Sequence, residues 1–286
     1  MYENIRKSLE ITLTIHTNKD MFLLDATFQQ GGTAMLVTER HDRILHTLEK
    51  DGQVFVSRLS ADFQVSEETI RRDLEKLEEE GYARRCYGGA TFTGSMDLPF
   101  TVRKKSHVSG KRRLAAAAAD LIPDGASIAL DESSTATFVA EALKEKKELT
   151  VITTSMETVL LLSDKEDWTV LLTGGKLKPK NLSMTGPRVL DFIREYAIDW
   201  TIVSCAGMNS DRGIFDPTED NAGIKRVMLD AAEHTILAVD KYKFERKSFS
   251  LICPFSSLDY VVTDEQPDEE WRAAFAKNHV ELICAE

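Results

Sequence analysis

The chain has 286 residues, of which 42% are hydrophobic and 29% are charged, a composition typical of a globular protein. Its length exceeds what one compact core normally serves, so we expect two domains. No apolar run approaches transmembrane length, and the N-terminus lacks the apolar block of a signal peptide, which indicates a cytoplasmic protein with no membrane partner. The net charge, 36 − 47 = −11, does not by itself suggest a nucleic-acid partner.

The cysteines and histidines argue against a metal site. The four cysteines are far apart in sequence and form no C-x-x-C pair, which is typical of a protein kept reduced; they are Cys86, Cys205, Cys253 and Cys284. The six histidines are scattered as well. We therefore predict neither a metal nor a cofactor.

Residues 1–34 have an irregular pattern that fits nothing downstream. The segment Gln30-Gly31-Gly32-Thr33 stands just before Met35, and codons for Gln-Gly-Gly can spell a purine-rich ribosome-binding site. Our hypothesis is that translation starts at Met35 and that residues 1–34 are read-through of the leader. The rival interpretation is an ordinary N-terminal extension.

Residues 35–92 contain three predicted helices and a hairpin. The pattern predicts helices over residues 39–50 and 57–63, with a short extended piece between them. A third helix starts after Ser66, a good N-cap, and stops at Gly81. The apolar residues Ile70, Leu74 and Leu77 recur at helical spacing and predict its buried side. Two short helices joined by a tight turn, the second with outward basic residues near its start, are typical of a helix-turn-helix.

Residues 82–92 follow Gly81 and predict a hairpin-like wing with Arg84 and Arg85 free to reach phosphates beside a DNA groove. Residues 35–92 hold nine Lys or Arg against twelve Asp or Glu, so the placement of the cations matters more than their number. An outward arginine pair such as Arg71 and Arg72 is, taken alone, usually a solvated face.

These residues resemble the winged DNA-binding domain of DeoR-type bacterial repressors. The likeness rests on the run from Val65 to Leu74, on Leu77, Gly81 and Arg85, and on Gly88-Gly89-Ala90. It implies that the helix after Ser66 binds double-stranded operator DNA with the wing beside it. The predicted DNA contacts are Ser66, Glu67, Thr69, Arg71, Arg72, Arg84, Arg85 and Tyr87.

A linker is predicted over residues 93–110, because the stretch has little periodicity, mixed charge, Gly94 and Pro99. We expect it to cross the surface as a solvated basic segment. From residue 111 to 286, helices alternate with short apolar strands, which predicts a mostly parallel sheet covered on both faces. The predicted helices are 114–122, 135–146, 157–162, 187–196, 222–232 and 269–277, and the predicted strands 126–130, 149–153, 168–172, 200–204, 235–239, 259–263 and 280–284.

Three loops follow predicted strands, where ligands bind in such sheets. Residues 131–135 combine three hydroxyls with a helix start, which suits a phosphate; simple N-capping by Ser133 or Ser134 explains them equally well. The second loop is Thr173-Gly174-Gly175-Lys176, and a lone Gly-Gly is weak evidence. The third is Asp240-Lys241-Tyr242-Lys243, in which Lys243 reaches the same cleft unless the loop is only a surface turn.

Together these loops resemble the effector domain of the DeoR-type family, which is similar to the ribose-5-phosphate isomerase fold. The resemblance implies a phosphorylated sugar or related metabolite as effector. The family's Asp-x-Gly-x-Thr loop stands here as Asp131-Glu132-Ser133-Ser134-Thr135, with Ser133 in place of glycine. The predicted effector contacts are Asp131, Ser133, Ser134, Thr135, Gly174, Gly175, Lys176, Lys225, Asp240 and Lys243.

An enzyme is the main alternative, since an aldose–ketose isomerase needs a carboxylate base. The acidic loop of the isomerases aligns with residues 204–208, and their glutamate base falls near Lys225, so we predict a cleft retained for binding and stripped for catalysis. Glu219 and Asp220 keep an isomerase-like enzyme open as an alternative, and a metabolite-binding module without a transcriptional role is another. We expect a homo-oligomer, dimer or tetramer, that represses a carbohydrate operon.

Overall fold

Helices and a small sheet build the N-terminal part of the chain, as the sequence predicted. The computed structural model describes residues 35–79, 81–92, 98–246 and 248–285. The start-site hypothesis for residues 1–34 and the linker residues 93–97 lie outside these ranges. The N-terminal elements are α1 (Val37–Asp51), β1 (Gln53–Phe55), α2 (Val56–Phe63), α3 (Glu67–Glu79), β2 (Ala83–Cys86) and β3 (Gly89–Phe92).

Helix α3 begins and packs as its sequence dictates. The Ser66 hydroxyl accepts a hydrogen bond from the Thr69 backbone N–H at 3.1 Å, which confirms the predicted N-cap. Ile70, Leu74 and Leu77 are buried in one core with α1 and α2. Because this apolar side faces inward, the polar and basic side of α3 faces outward.

The wing is a three-stranded antiparallel sheet in the order β1-β3-β2. Gly88 sits in the turn with a positive φ of 80°, a conformation that glycine adopts without strain. A Cβ on Gly89 would lie 1.9 Å from the Val54 carbonyl oxygen, so β3 approaches β1 too closely for any other residue. The predicted hairpin-like wing is confirmed, and β1 joins it as a third strand.

The stretch predicted as a surface linker is mostly helical and partly buried, so that prediction was wrong for residues 98–110. It forms α4 (Phe100–Lys105) and the start of α5 (Val108–Asp120). Leu98, Phe100 and Val102 are buried, which a solvated linker would not allow. Residues 36–286 form one compact unit, and the predicted domain boundaries at 92 and 110 stay predictions.

A seven-stranded sheet in the order β15-β14-β12-β9-β4-β5-β6 forms the C-terminal part. All its strand pairs are parallel, and buried apolar clusters cover both faces, so the predicted fold class is confirmed. The strands of this sheet are β4 (Ser127–Leu130), β5 (Thr150–Thr153), β6 (Thr169–Leu172), β9 (Ile198–Val203), β12 (Ala232–Val239), β14 (Tyr260–Thr263) and β15 (Glu281–Cys284). The helices that flank it, besides α5, are α6 (Ser134–Ala142), α7 (Met156–Leu161), α8 (Pro187–Arg194), α9 (Glu219–Asp230) and α10 (Glu269–Lys277).

Two small antiparallel sheets were not predicted. One pairs β7 (Lys176–Lys178) with β8 (Ser183–Thr185), and the other has the order β10-β11-β13. The latter strands are β10 (Gly207–Asn209), β11 (Gly213–Asp216) and β13 (Ser250–Cys253). Strands β7, β8 and β10 have only three residues each, too short an alternation for the sequence to reveal them. Within the described residues, no helix has both the length and the apolar character needed to cross a bilayer.

Candidate DNA-binding surface and effector cavity

The outer face of α3 carries the predicted base-reading residues. The Arg71 guanidinium lies 2.6 Å from the Glu67 carboxylate, and that of Arg72 lies 3.4 Å from Glu68. All four side chains are about half exposed or more, and exposed ion pairs of this kind contribute at most about 1 kcal/mol. Both arginines can therefore exchange these carboxylates for DNA at little cost. Ser66 and Thr69 lie at the start of the same helix.

The wing presents its predicted contacts unequally. Arg84 and Tyr87 are exposed, Tyr87 fully so at the tip. Arg85, predicted to be free, is not free: its Nε lies 2.8 Å from a Glu78 oxygen, and its Nη1 lies 3.5 Å from Glu75. Arg71, Arg85 and Tyr87 line one groove between α3 and the wing. The sequence could not reveal the ion pairs of Arg85, because they join two elements.

A buried ion pair that the sequence analysis missed sets the position of α3. Arg40 on α1 donates two hydrogen bonds to the Asp73 carboxylate, from Nε at 2.5 Å and from Nη2 at 3.0 Å. His41 Nε2 lies 2.8 Å from the same carboxylate. Burial alone would raise the pKa of Asp73, but the hydrogen bonds from Arg40 and His41 lower it below its ordinary value. The pair thus ties α1 to the inner side of α3, opposite the exposed arginines.

A cavity of about 60 Å³ lies where β4, β9 and β12 end, the edge at which parallel sheets bind ligands. This exceeds the minimum of about 10–15 Å³ that a single water molecule needs. Polar side chains from five parts of the chain line it. They include Arg103, Ser106, His107, Lys111, Glu132, Ser133, Ser134, Thr135, Ser204, Cys205, Asp216, Asn221, Lys225, Lys243 and Arg246.

The loop after β4 contains residues that stabilise the fold and residues that line the cavity. The Ser133 hydroxyl accepts from the Ala136 N–H at 2.9 Å, so Ser133 is the N-cap of α6. Asp131 is fully buried and braces two strand ends, accepting from the backbone N–H of Ser133 at 2.9 Å and of Ser204 at 2.8 Å. Ser134 joins Ser133 on the cavity wall. The capping interpretation therefore holds for Ser133 but leaves the hydroxyl of Ser134 for a ligand.

The loop after β6 does not reach the cavity, contrary to the expectation of one shared cleft. Gly174, Gly175 and Lys176 are exposed and do not line the cavity, because β6 is an edge strand two places from β4. A Cβ on Gly175 would lie 2.8 Å from the Thr185 carbonyl oxygen. Glycine at this position therefore serves the packing of the β7–β8 hairpin.

Lys225 lines the cavity as predicted, but three carboxylates surround it. Its Nζ lies 2.6 Å from Asp216, 3.3 Å from Asp131 and 3.5 Å from Glu132. Burial alone would lower the pKa of Lys225, but these carboxylates raise it well above its ordinary value. Two carboxylates that the sequence argument did not place in the cleft, those of Glu132 and Asp216, also line it.

Cations from the predicted linker and from the segment after β12 also line the cavity. Arg103, Lys243 and Arg246 are partly buried there. Lys111 Nζ donates to the carbonyl oxygens of Arg103 at 2.6 Å and Ser106 at 2.8 Å, and burial lowers its pKa to about 7. The sequence analysis found only Lys243 among these four, because it took the basic residues of 103–113 for a solvated surface.

The segment after β12 also contacts the DNA-binding part. Asp240 is fully buried and accepts a hydrogen bond from the Tyr242 N–H at 3.1 Å, which caps a 3-10 turn at Lys241–Lys243. The Tyr242 ring stacks on His107 at 3.9 Å and lies 5.1 Å from His46 of α1. The backbone N–H of His107 donates to the Asp42 carboxylate of α1 at 3.2 Å. One short segment thus lies between the cavity and α1.

Family comparisons match most of the chain. Residues 40–95 match a DeoR-like helix-turn-helix domain, and residues 106–265 match the DeoR C terminal sensor domain. Part of the chain also aligns with ribose 5 phosphate isomerase A from Neisseria gonorrhoeae, at 19% identity and a TM-score of 0.36, covering 48% of this chain and 53% of that one.

Full-length relatives are similar to the chain over most of its length. The regulator YulB of Bacillus subtilis is 38% identical over 82% of this chain and 91% of its own length. The glycerol-3-phosphate regulon repressor of Escherichia coli is 31% identical over 87% of this chain and 100% of its own length. The L-fucose operon activator of Haemophilus influenzae is 33% identical over 80% of this chain and 93% of its own.

Proposed function

Because the chain belongs to the DeoR family of DNA-binding transcriptional regulators, we propose that it is a cytoplasmic repressor of a carbohydrate operon, relieved by a phosphorylated sugar or related metabolite. The names of its relatives support this class of target: they include repressors of the glycerol-3-phosphate regulon and of the aga operon. One relative is an activator, so repression rather than activation is itself part of what we propose.

The cation-lined side of the cavity is the observation that carries the proposed effector class. Arg103, Lys243 and Arg246 face the same space as Ser134, in the first turn of α6. The N–H groups of a first helical turn have no partner within the helix and favour an anion, as does the helix dipole. A phosphate dianion would gain charge-assisted hydrogen bonds from the arginines.

The walls of the cavity support a link between effector and DNA. Helix α4 and residues 241–246 both contribute to the lining, through Arg103 and through Lys243 and Arg246. Residues 241–246 also hold Tyr242 against His107 and near α1, so an effector that shifts them acts on α1. Effector would then favour an arrangement of α1 and α3 that no longer fits the operator.

Assembly into a homo-oligomer, dimer or tetramer, belongs to the same proposal. Helix-turn-helix proteins that read half-sites do so as symmetric pairs, and the spacing of their recognition helices must match that of the half-sites. An effector-induced change in subunit arrangement alters this spacing. A ligand shifts such an equilibrium only as far as its affinities for the two arrangements differ. The effector must therefore bind the arrangement that does not fit the operator more tightly than the one that does, by at least the factor by which operator affinity falls.

Operator titration tests the proposal. The gene for this protein has neighbours, and the DNA upstream of those neighbouring genes would be titrated with the protein at one fixed salt concentration. If Arg71 reads a guanine edge, Arg71→Ala should lose about 1–3 kcal/mol of binding free energy, whereas Arg188→Ala, an exposed arginine on α8, should match wild type. Equal operator affinity of wild type, Arg71→Ala and Arg188→Ala would contradict the assignment of α3 as the helix that reads the operator.

The effector class is tested by adding phosphorylated sugars to the same titration. An operator affinity that none of them changes would contradict the proposed effector class.

A further inference from the structure

A second set of cavity-lining residues carries hydrogen-bond acceptors without donors. Asp216 Oδ1 and Asn221 Oδ1 are buried and have no hydrogen-bond partner among the described residues. The Glu132 carboxylate is only 3% exposed, and its ion pair with Lys225 spans 3.5 Å, longer than a charge-assisted hydrogen bond. All three residues line the cavity, on three separate elements.

Lys225 cannot satisfy these acceptors, because its three protons have closer partners. Nζ donates to the Ser204 carbonyl oxygen at 2.9 Å and to Asp216 Oδ2 at 2.6 Å. Asp131, at 3.3 Å, is also nearer to Nζ than Glu132 is, at 3.5 Å. A buried carboxylate without donors costs free energy, so these oxygens favour a ligand that brings donors.

We propose that Glu132, Asp216 and Asn221 form a polyol subsite, in which they accept hydrogen bonds from neighbouring hydroxyl groups of the effector, and that Glu132 determines the preference for polyhydroxylated over hydroxyl-poor phosphates. The inference rests on the proposed function, which assigns the phosphate of the same ligand to the cations. The acceptors and the cations thus recognise different groups of one phosphorylated polyol.

Hydroxyl donors suit these acceptors better than a ligand ammonium. Lys225 already places a positive charge against Glu132 and Asp216, and Arg103 also acts on Glu132 electrostatically. A ligand ammonium would also have to give up its hydration on burial, whereas a hydroxyl brings a proton donor without net charge.

Protonation of Glu132 adds an independent readout. Burial raises the pKa of Glu132 to about 7; Lys225 on α9 and Arg103 on α4 oppose the rise, while Asp131 and Asp216 reinforce it. Hydrogen bonds donated by ligand hydroxyls favour the ionised carboxylate. Binding of a polyol phosphate near pH 7 should therefore release part of a proton, and binding of inorganic phosphate should not release it from this group.

Calorimetric titration of the full chain tests the subsite with three probes: sorbitol 6-phosphate, hexyl phosphate of the same chain length, and inorganic phosphate. Wild type should bind sorbitol 6-phosphate roughly tenfold or more tightly than hexyl phosphate, as expected for hydrogen bonds to charged groups. Glu132→Gln should lose most of that preference and the excess of buffer-dependent proton release that sorbitol 6-phosphate shows over hexyl phosphate, with inorganic phosphate affinity within about twofold. Glu141→Gln, an exposed glutamate on α6, is the matched control and should behave as wild type.

The outcomes separate this inference from the proposed function. An unchanged preference in Glu132→Gln, or equal affinity of wild type for sorbitol 6-phosphate and hexyl phosphate, overturns the polyol subsite while the phosphate site stands. Tighter binding of glucosamine 6-phosphate than of glucose 6-phosphate overturns the choice of hydroxyl over ammonium. Failure of all three probes to bind overturns the proposed effector class, and the subsite with it. Asn221→Ala provides a second variant should Glu132→Gln fail to fold, with the same loss of preference expected.

Discussion

Asp73 illustrates how one buried residue orients the DNA-reading helix. Its carboxylate receives hydrogen bonds from Arg40 and His41 of α1, so its neutralisation removes the counter-charge that a buried guanidinium faces across α1 and α3. Asp73→Asn should lower the free energy of unfolding by about 3–5 kcal/mol. Asp62→Asn, which affects an exposed pair with Arg58 at 3.8 Å, should change it by less than about 1 kcal/mol. Denaturant unfolding measures both, and equal effects would contradict a structural role for the buried pair.

The same residue predicts an acid-sensitive contribution to stability. Because the folded-state pKa of Asp73 is lowered, its contribution is present above the ordinary aspartate pKa and is lost as the pH falls through the folded value. The difference in unfolding free energy between wild type and Asp73→Asn should therefore shrink in acid. Denaturant unfolding at a series of pH values measures this, and a difference that stays constant into strong acid would show that Asp73 keeps its ordinary pKa.

Ser134 tests the phosphate side of the cavity. Because the Ser133 hydroxyl caps α6, Ser134→Asp adds a negative charge at the cavity without removing the cap. The variant should bind operator as wild type does and no longer respond to effector, because the carboxylate repels phosphate. Ser163→Asp, at an exposed serine beyond α7, should keep the response. Operator titrations with and without effector measure this response. If effector changes operator affinity equally in both variants, residues 133–135 only start helix α6 and do not bind the phosphate.

At the scale of elements, the segment Lys241–Lys243 joins the two functions. Lys243 lines the cavity, while Tyr242 stacks on His107 beside α1. Tyr242→Ala should keep effector affinity but reduce the change in operator affinity that effector produces. Tyr196→Ala removes a comparable ring contact, with Phe192 beside α8, and should retain full coupling. Calorimetry measures effector affinity, and titration measures operator affinity with and without effector. If effector changes operator affinity in Tyr242→Ala as much as in wild type, the contact of Tyr242 with His107 does not connect the cavity to α1.

The elements that the sequence predicts well are those with long, regular patterns. Helix α3 shows three apolar turns and a cap, and each strand of the main sheet is a short apolar run between helices. Helix α4 was missed because its six residues span less than two turns, and Pro99 before it reads as a loop signal. The contacts of Glu132 and Asp216 with Lys225 could not be predicted, because they join residues from three elements whose relative placement only the fold determines.

At the scale of the whole molecule, carboxylates in the cavity do not make the protein an enzyme. The argument from Lys225 overlooked Glu132 and Asp216, yet the relatives that match nearly the full chain are transcriptional regulators. These carboxylates surround a buried ammonium, which opposes their use as a free base. The expectation of a regulator was correct, although the argument from Lys225 took no account of carboxylates that other elements bring to the cavity.

The acidic surface of the chain predicts how operator binding depends on salt. With a net charge of −11, the protein gains little from long-range attraction to DNA, so local contacts by exposed cations must supply the electrostatic term. Arg84 is exposed on β2, whereas Arg85 is paired with Glu78. Arg84→Ala should weaken binding to operator and to unrelated DNA by similar factors, since a phosphate contact carries no sequence information.

The salt slope then counts the subunits that contact the operator. Each phosphate contact contributes roughly 0.9 to the slope of log affinity against log salt concentration, so Arg84→Ala should reduce the slope by about 0.9 for each subunit bound, or roughly 1.8 for a dimer. Arg85→Ala should reduce it less, because Arg85 must first leave Glu78. Arg71→Ala instead should relax specificity at one base pair. Titrations over a range of salt concentrations measure all three variants, and an unchanged slope in Arg84→Ala would place the wing away from the DNA backbone.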